Sequence, residues 1–124
     1  MTATDPRSRL PAVVLISGRG SNMRVIAAAA QAGSLAIDLR AVLSDRADAP
    51  GLATARALGI ETGVVVARPG AERSAYAREL AAAVRAHDPG LVALAGFKRI
   101  LSAAFVEAFL GRMLNIHPSL LPKY

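Results

Sequence analysis

Asn115 and His117 stand two positions apart where an apolar run, Arg112 to Ile116, gives way to Pro118-Ser119-Leu120-Leu121-Pro122. Side chains at i and i+2 of an extended segment share a face, so this carboxamide and this imidazole can address one reacting atom. An imidazole moves protons near neutral pH, and a carboxamide N–H holds a developing oxyanion. Together they suit acyl transfer. A loop histidine and an asparagine ahead of a proline-rich turn also occur as plain loop chemistry, and what favours the chemical reading is their spacing at a strand end beside a stiff loop.

A second constellation is Ser17-Gly18-Arg19-Gly20-Ser21-Asn22, between an apolar strand pattern and a helical one. Glycines let the backbone approach an anion, a helix start presents unpaired N–H groups, and Ser21 and Asn22 add side-chain donors, so the segment is expected to hold a phosphate rather than to be an unliganded turn. Its spacing is close to the dinucleotide fingerprint G-x-G-x-x-G, with Met23 in the last position and Asp45 where a ribose-binding acid would stand. A nicotinamide-dependent oxidoreductase domain, binding NAD(P), is therefore the alternative reading. In a third segment, Ala95-Gly96-Phe97-Lys98-Arg99-Ile100-Leu101, the glycine permits a sharp turn and the backbone of Lys98 to Leu101 can line a cleft wall. A strand-to-helix loop with solvated Lys98 and Arg99 is the plainer account of the same residues.

Alternating periodicities supply the elements that carry these segments. Strand patterns cover Pro11 to Ser17, Ile37 to Ser44, Thr62 to Val66, Leu91 to Ala95 and Arg112 to Ile116. Helical patterns cover Ser21 to Ala32, stopped by Gly33; Asp48 to Leu58, closed by Gly59; Glu72 to Ala86, with Tyr76, Leu80, Ala83 and Val84 inward; and Ala103 to Leu110 behind a Ser102 cap. Regular alternation with short connections predicts an α/β fold: a doubly wound, Rossmann-like, mostly parallel sheet with helices on both faces. All three chemical segments then fall at carboxyl ends of strands, where ligands bind in such sheets. No linker or repeat interrupts the chain after the polar leader Met1 to Arg9, so residues 1–124 read as one domain.

Composition narrows the function classes. With 124 residues, 53% of them hydrophobic, the chain has ample material for a single core. No apolar stretch reaches the roughly 18 to 20 residues that span a bilayer, and the start lacks a secretory pattern, so no membrane partner and a cytoplasmic location are expected. With no cysteine and only His87 and His117 as histidines, neither a disulfide framework nor a metal site is expected. The net charge of +6 raises nucleic acid as a partner, but the arginines are spread from Arg7 to Arg112, there is no Trp, and Phe and Tyr are few. Anionic small molecules fit that distribution better than nucleic acid.

Three segments, Ser17 to Asn22, Ala95 to Leu101 and Asn115 to Tyr124, resemble in order and spacing the glycinamide ribonucleotide formyltransferase family, and the chain is similar to it over nearly all of its length after the leader. Ser44 to Ala49 and Arg73 to Tyr76 look like that family too, and Ser-Gly-Arg-Gly-Ser-Asn separates it from the methionyl-tRNA formyltransferases, which share the Asn-Ile-His-Pro-Ser-Leu-Leu-Pro segment. The resemblance implies a formyltransferase-like fold and formyl transfer from 10-formyltetrahydrofolate to the amine of glycinamide ribonucleotide in purine synthesis. It implies that Gly20, Ser21 and Asn22 hold the substrate phosphate. Arg73, Lys98, Arg99, Ile100, Leu101 and Asn115 would border the folate, Asn115 would stabilise the oxyanion, and His117 would donate and relay protons. Lys98 stands where apolar residues are usual in the family. The resemblance also implies an aspartate, in a segment downstream of Tyr124, that pairs with the histidine. The chain is accordingly expected to be a fragment or a carboxyl-terminal truncation with little turnover of its own, and exposure of the fifth strand is expected to favour self-association.

Overall fold

The computed structural model describes residues 9–66, 73–97 and 103–115. Five strands and four helices alternate: β1 (Leu10–Ile16), α1 (Ser21–Ala32), β2 (Ile37–Ser44), α2 (Pro50–Ala57), β3 (Glu61–Val64), α3 (Arg73–Arg85), β4 (Leu91–Leu94), α4 (Ala103–Ala108) and β5 (Met113–Asn115). The strands form one sheet in the order β3-β2-β1-β4-β5, and every neighbouring pair is parallel. From β1 the chain steps outward through β2 to β3, then returns across the sheet to place β4 and β5 on the other flank of β1. The doubly wound expectation is met, and the reversal of strand order lies between β1 and β4.

Period-2 burial in β1 divides the core. Val13 and Leu15 face one layer with Leu80, Val84, Phe105 and Phe109 of the α3/α4 side, while Val14 and Ile16 face the other with Met23, Ile26 and Leu52 of the α1/α2 side. A strand covered on both faces must be apolar at every position, which is why residues 12–16 form an unbroken hydrophobic run. Each of these large side chains contributes about 1.5 to 3 kcal/mol by leaving water. The rings of Phe105 and Phe109 pack tilted at 50°, 4.9 Å between centroids, and the guanidinium of Arg112 sits 5.7 Å from the Phe109 ring.

Element ends differ from the sequence pattern for local reasons. The second helix begins at Pro50 rather than Asp48, because Pro50 has no N–H to lose at a first helical position and Asp48 is instead paired with Arg46. The third strand runs from Glu61 to Val64 rather than Thr62 to Val66, although Val65 beyond it is still buried. On α3, Ala77 and Ala81 are buried together with Tyr76, Leu80 and Val84, while Ala83 is only half-buried at the margin. The last helix ends at Ala108 instead of Leu110. Past it, the N–H groups of Phe109 and Leu110 bond three residues back, to Val106 and Glu107, tightening the chain toward Gly111 at φ +81°. Gly33 closes α1 as expected, at φ +83°, with its N–H on the Ala30 carbonyl at 3.2 Å. The proposed Ser102 cap lies outside the described residues.

Candidate active site at the carboxyl edge of the sheet

In a parallel sheet every strand ends on the same side, so the carboxyl ends of β1, β2, β4 and β5 lie along one rim. Register fixes their relation: Leu15 pairs with Leu94, and Leu94 pairs with Asn115. Asn115 therefore lies in the same row as Leu15, two strands across, a spacing of roughly 9 to 10 Å between strand axes. The end of β1, which leads into the glycine bend, and the end of β5 flank the end of β4. The hydrogen bond from the Ala95 N–H to the Leu15 carbonyl, 2.9 Å, ties the middle strand to β1 at that rim.

The glycine bend is built from backbone. Gly20 is the N-cap of α1 in the left-handed region, φ +71° and ψ +35°, and no side chain caps the helix. The first intrahelical bond, from the Arg24 N–H to the Gly20 carbonyl at 2.8 Å, leaves the preceding N–H groups at the helix mouth for an external acceptor. The first turn contains no acid, so nothing there opposes the positive end of the helix dipole. Ser21 is exposed and Asn22 half-buried at the mouth, whereas Met23 is fully buried beneath it. A Cβ on Gly20 would lie 3.1 Å from the Met23 Cε and 3.3 Å from the Cα of Gly51.

Sequence reasoning did not find Gly51. It is the second residue of α2, its N–H donates to the Gly18 carbonyl at 3.1 Å, and a Cβ there would meet the Arg19 carbonyl oxygen at 2.9 Å and the Ile16 Cδ1 at 2.5 Å. The available signal was a glycine inside the helical pattern Asp48 to Leu58. The neighbouring loop is pinned as well: the Arg46 N–H donates to the Ser44 Oγ at 3.1 Å, and the Arg46 guanidinium makes two bonds of 3.1 Å to the Asp48 carboxylate. Ser44 and Asp45 are buried at the end of β2.

Of the residues singled out from the sequence, Gly20, Ser21 and Asn22 come together at the start of α1, and Asn115 closes β5 on the same rim. Arg73 opens α3. The side chains of Arg73 and Asn115, and the whole of Lys98, Arg99, Ile100, Leu101 and His117, lie outside the described residues. Among the described residues, no cluster of three or more His, Cys, Asp or Glu side chains is placed to hold a metal, and no helix is long and apolar enough to cross a membrane.

Comparison with known proteins agrees with this fold. Phosphoribosylglycinamide formyltransferase of Escherichia coli is 52% identical over 112 residues, which cover 90% of this chain and 53% of that protein. The structure of phosphoribosylglycinamide formyltransferase from Coxiella burnetii superposes with a TM-score of 0.84 at 49% identity, covering 94% of this chain and 55% of that one. Glycinamide ribonucleotide transformylase 1 from Symbiobacterium toebii gives a TM-score of 0.85 at 38% identity, again over 94% of this chain and 55% of that one. The chain thus spans about half the length of these relatives. The oxidoreductase alternative is not supported: these relatives are formyltransferases, and Met23 fills the space under Gly20 where the dinucleotide fingerprint has glycine. With the formyl transferase family model matching residues 10–124, and with the fold shared with solved members, this chain belongs to the formyl transferase family.

Proposed function

We propose that the protein transfers a formyl group from 10-formyltetrahydrofolate to the amine of glycinamide ribonucleotide in de novo purine synthesis, with residues 1–124 contributing one α/β domain. The observation that supports the reading is the row Leu15, Leu94, Asn115, which puts the end of β1, just before the glycine bend, and the end of β5 two strands apart on one rim of the sheet. The E. coli relative of that activity adds to it. In this reading the phosphate sits on the N–H groups of Gly20, Ser21 and Asn22, as an anion does at a helix start. The amine attacks the formyl carbon, and the Asn115 carboxamide donates to the oxygen as it gains charge. His117 takes the proton lost by the amine and delivers one to the folate nitrogen as the carbon–nitrogen bond breaks, so charge balances over the step. Arg73 and Lys98, Arg99, Ile100 and Leu101 border the folate. Folate supplies the one-carbon chemistry, and the protein supplies position and charge.

The remaining partners follow from the same reading: small anionic substrates, no metal, no nucleic acid and a cytoplasmic setting. Any homo-oligomer is expected to form through the β5 side, where Leu110 and Leu114 are 75% and 49% exposed. A monomer in sedimentation of the 124-residue chain at high concentration removes that route. For the activity, the test is formyl transfer by the full-length gene product with both substrates. Saturable transfer to glycinamide ribonucleotide is the expected result, and its absence alongside saturable NAD binding contradicts the proposal.

A further inference from the structure

We infer that Gly51, at the start of α2, is a positioning residue for the phosphate loop: its bare backbone clamps Gly18, Arg19 and Gly20 in the one arrangement that presents the mouth of α1. The inference rests on the reading that this mouth holds the substrate phosphate. Two glycines from separate elements meet here. The Gly51 N–H holds the Gly18 carbonyl at 3.1 Å, and the Cα of Gly51 occupies the space a Cβ on Gly20 would need, 3.3 Å away. Both sit over Ile16, whose Cδ1 lies 2.5 Å from a Cβ built on Gly51 and 3.4 Å from one built on Gly20.

The two obstacles to a side chain at position 51 are unequal. Ile16 Cδ1 is the end of a flexible side chain and can move aside. The Arg19 carbonyl, 2.9 Å from the built Cβ, is backbone of the loop itself and can give way only if the loop moves. Alanine is ordinarily the better residue in a helix, so glycine at this helical position runs against local preference. Binding by N–H groups depends on their aim, because a fixed backbone donor has no rotamer with which to follow a displaced anion.

The test uses the full-length gene product and compares Gly51→Ala with the double variant Gly51→Ala/Ile16→Val, which removes Cδ1 and so relieves the side-chain clash while leaving the carbonyl clash. Expected is a rise of about tenfold or more in KM for glycinamide ribonucleotide in both, with KM for formyl-folate changed by less than about twofold. The double variant is expected to unfold within a few degrees of wild type. Recovery of the ribonucleotide KM in the double variant, or loss of the folding transition in both, assigns Gly51 to core packing and overturns the inference. An unchanged ribonucleotide KM in either folded variant overturns it as well. Failure of the underlying reading looks different: wild type itself then shows no saturation with the ribonucleotide and no competitive inhibition by inorganic phosphate.

Discussion

Around the turn after β1, Gly20 and Gly51 meet backbone to backbone above Ile16 and Met23, both fully buried. Across β4, Phe105 and Phe109 of the described residues are buried in the core, while Leu110 and Leu114 are 75% and 49% exposed. The contrast matches the work proposed for each side. An anion seat made of N–H groups has no side chain to adjust, so its accuracy must come from the packing under it. Groups that donate and move protons carry their own torsions, so the backbone need only bring them to the rim. Substitutions of the packed glycines on the first side should therefore disturb binding and stability together, and those on the second should disturb chemistry alone.

The largest effect expected from that contrast is at His117. In the full-length protein His117→Ala should lower kcat by about 100-fold or more while KM for glycinamide ribonucleotide changes by less than about threefold, measured by steady-state kinetics. Activity within a few-fold of wild type would remove the proton-transfer role. On the other side, Gly20→Ala forces a side chain into the left-handed region against Met23 and Gly51. It should cost about 1 to 2 kcal/mol in urea unfolding and raise the ribonucleotide KM together with that loss. A change in one without the other would separate packing from binding and break the comparison. Ser21→Ala sharpens it: an exposed hydroxyl at the helix mouth should alter the ribonucleotide KM by about threefold to tenfold, as one hydrogen bond would, with stability unchanged. Smallest is Arg46→Ala. Both partners of its ion pair with Asp48 are well exposed, so the loss in thermal or urea unfolding should stay below about 1 kcal/mol.

Much of this architecture was legible in the sequence because its signals are local. Gly33 at the end of α1 marks a left-handed C-cap, the apolar run in β1 marks a strand covered on both faces, and regular alternation leaves few topologies besides the doubly wound one. The candidate site was legible as types and spacings: Gly20, Ser21 and Asn22 at a helix start, and Asn115 at a strand end. What was not legible was set by contacts between distant segments. A glycine at position 51 looks like a weak helix former until Ile16 and Arg19 are seen against it. Asp48 looks like the start of a helix until its carboxylate is found on Arg46. The end of α4 was misplaced because Phe109, helical in pattern, belongs to a tight turn that still drives its ring into the core.

The central claim is that the mouth of α1 seats the phosphate while the end of β5 attends to the formyl group. Crystallography of the full-length protein with glycinamide ribonucleotide bound tests it most directly. The account predicts phosphate oxygens about 2.7 to 3.2 Å from the backbone nitrogens of the Gly20–Asn22 segment, with the amine directed across β4 toward Asn115. A phosphate seated elsewhere, or an amine directed away from β5, would contradict it.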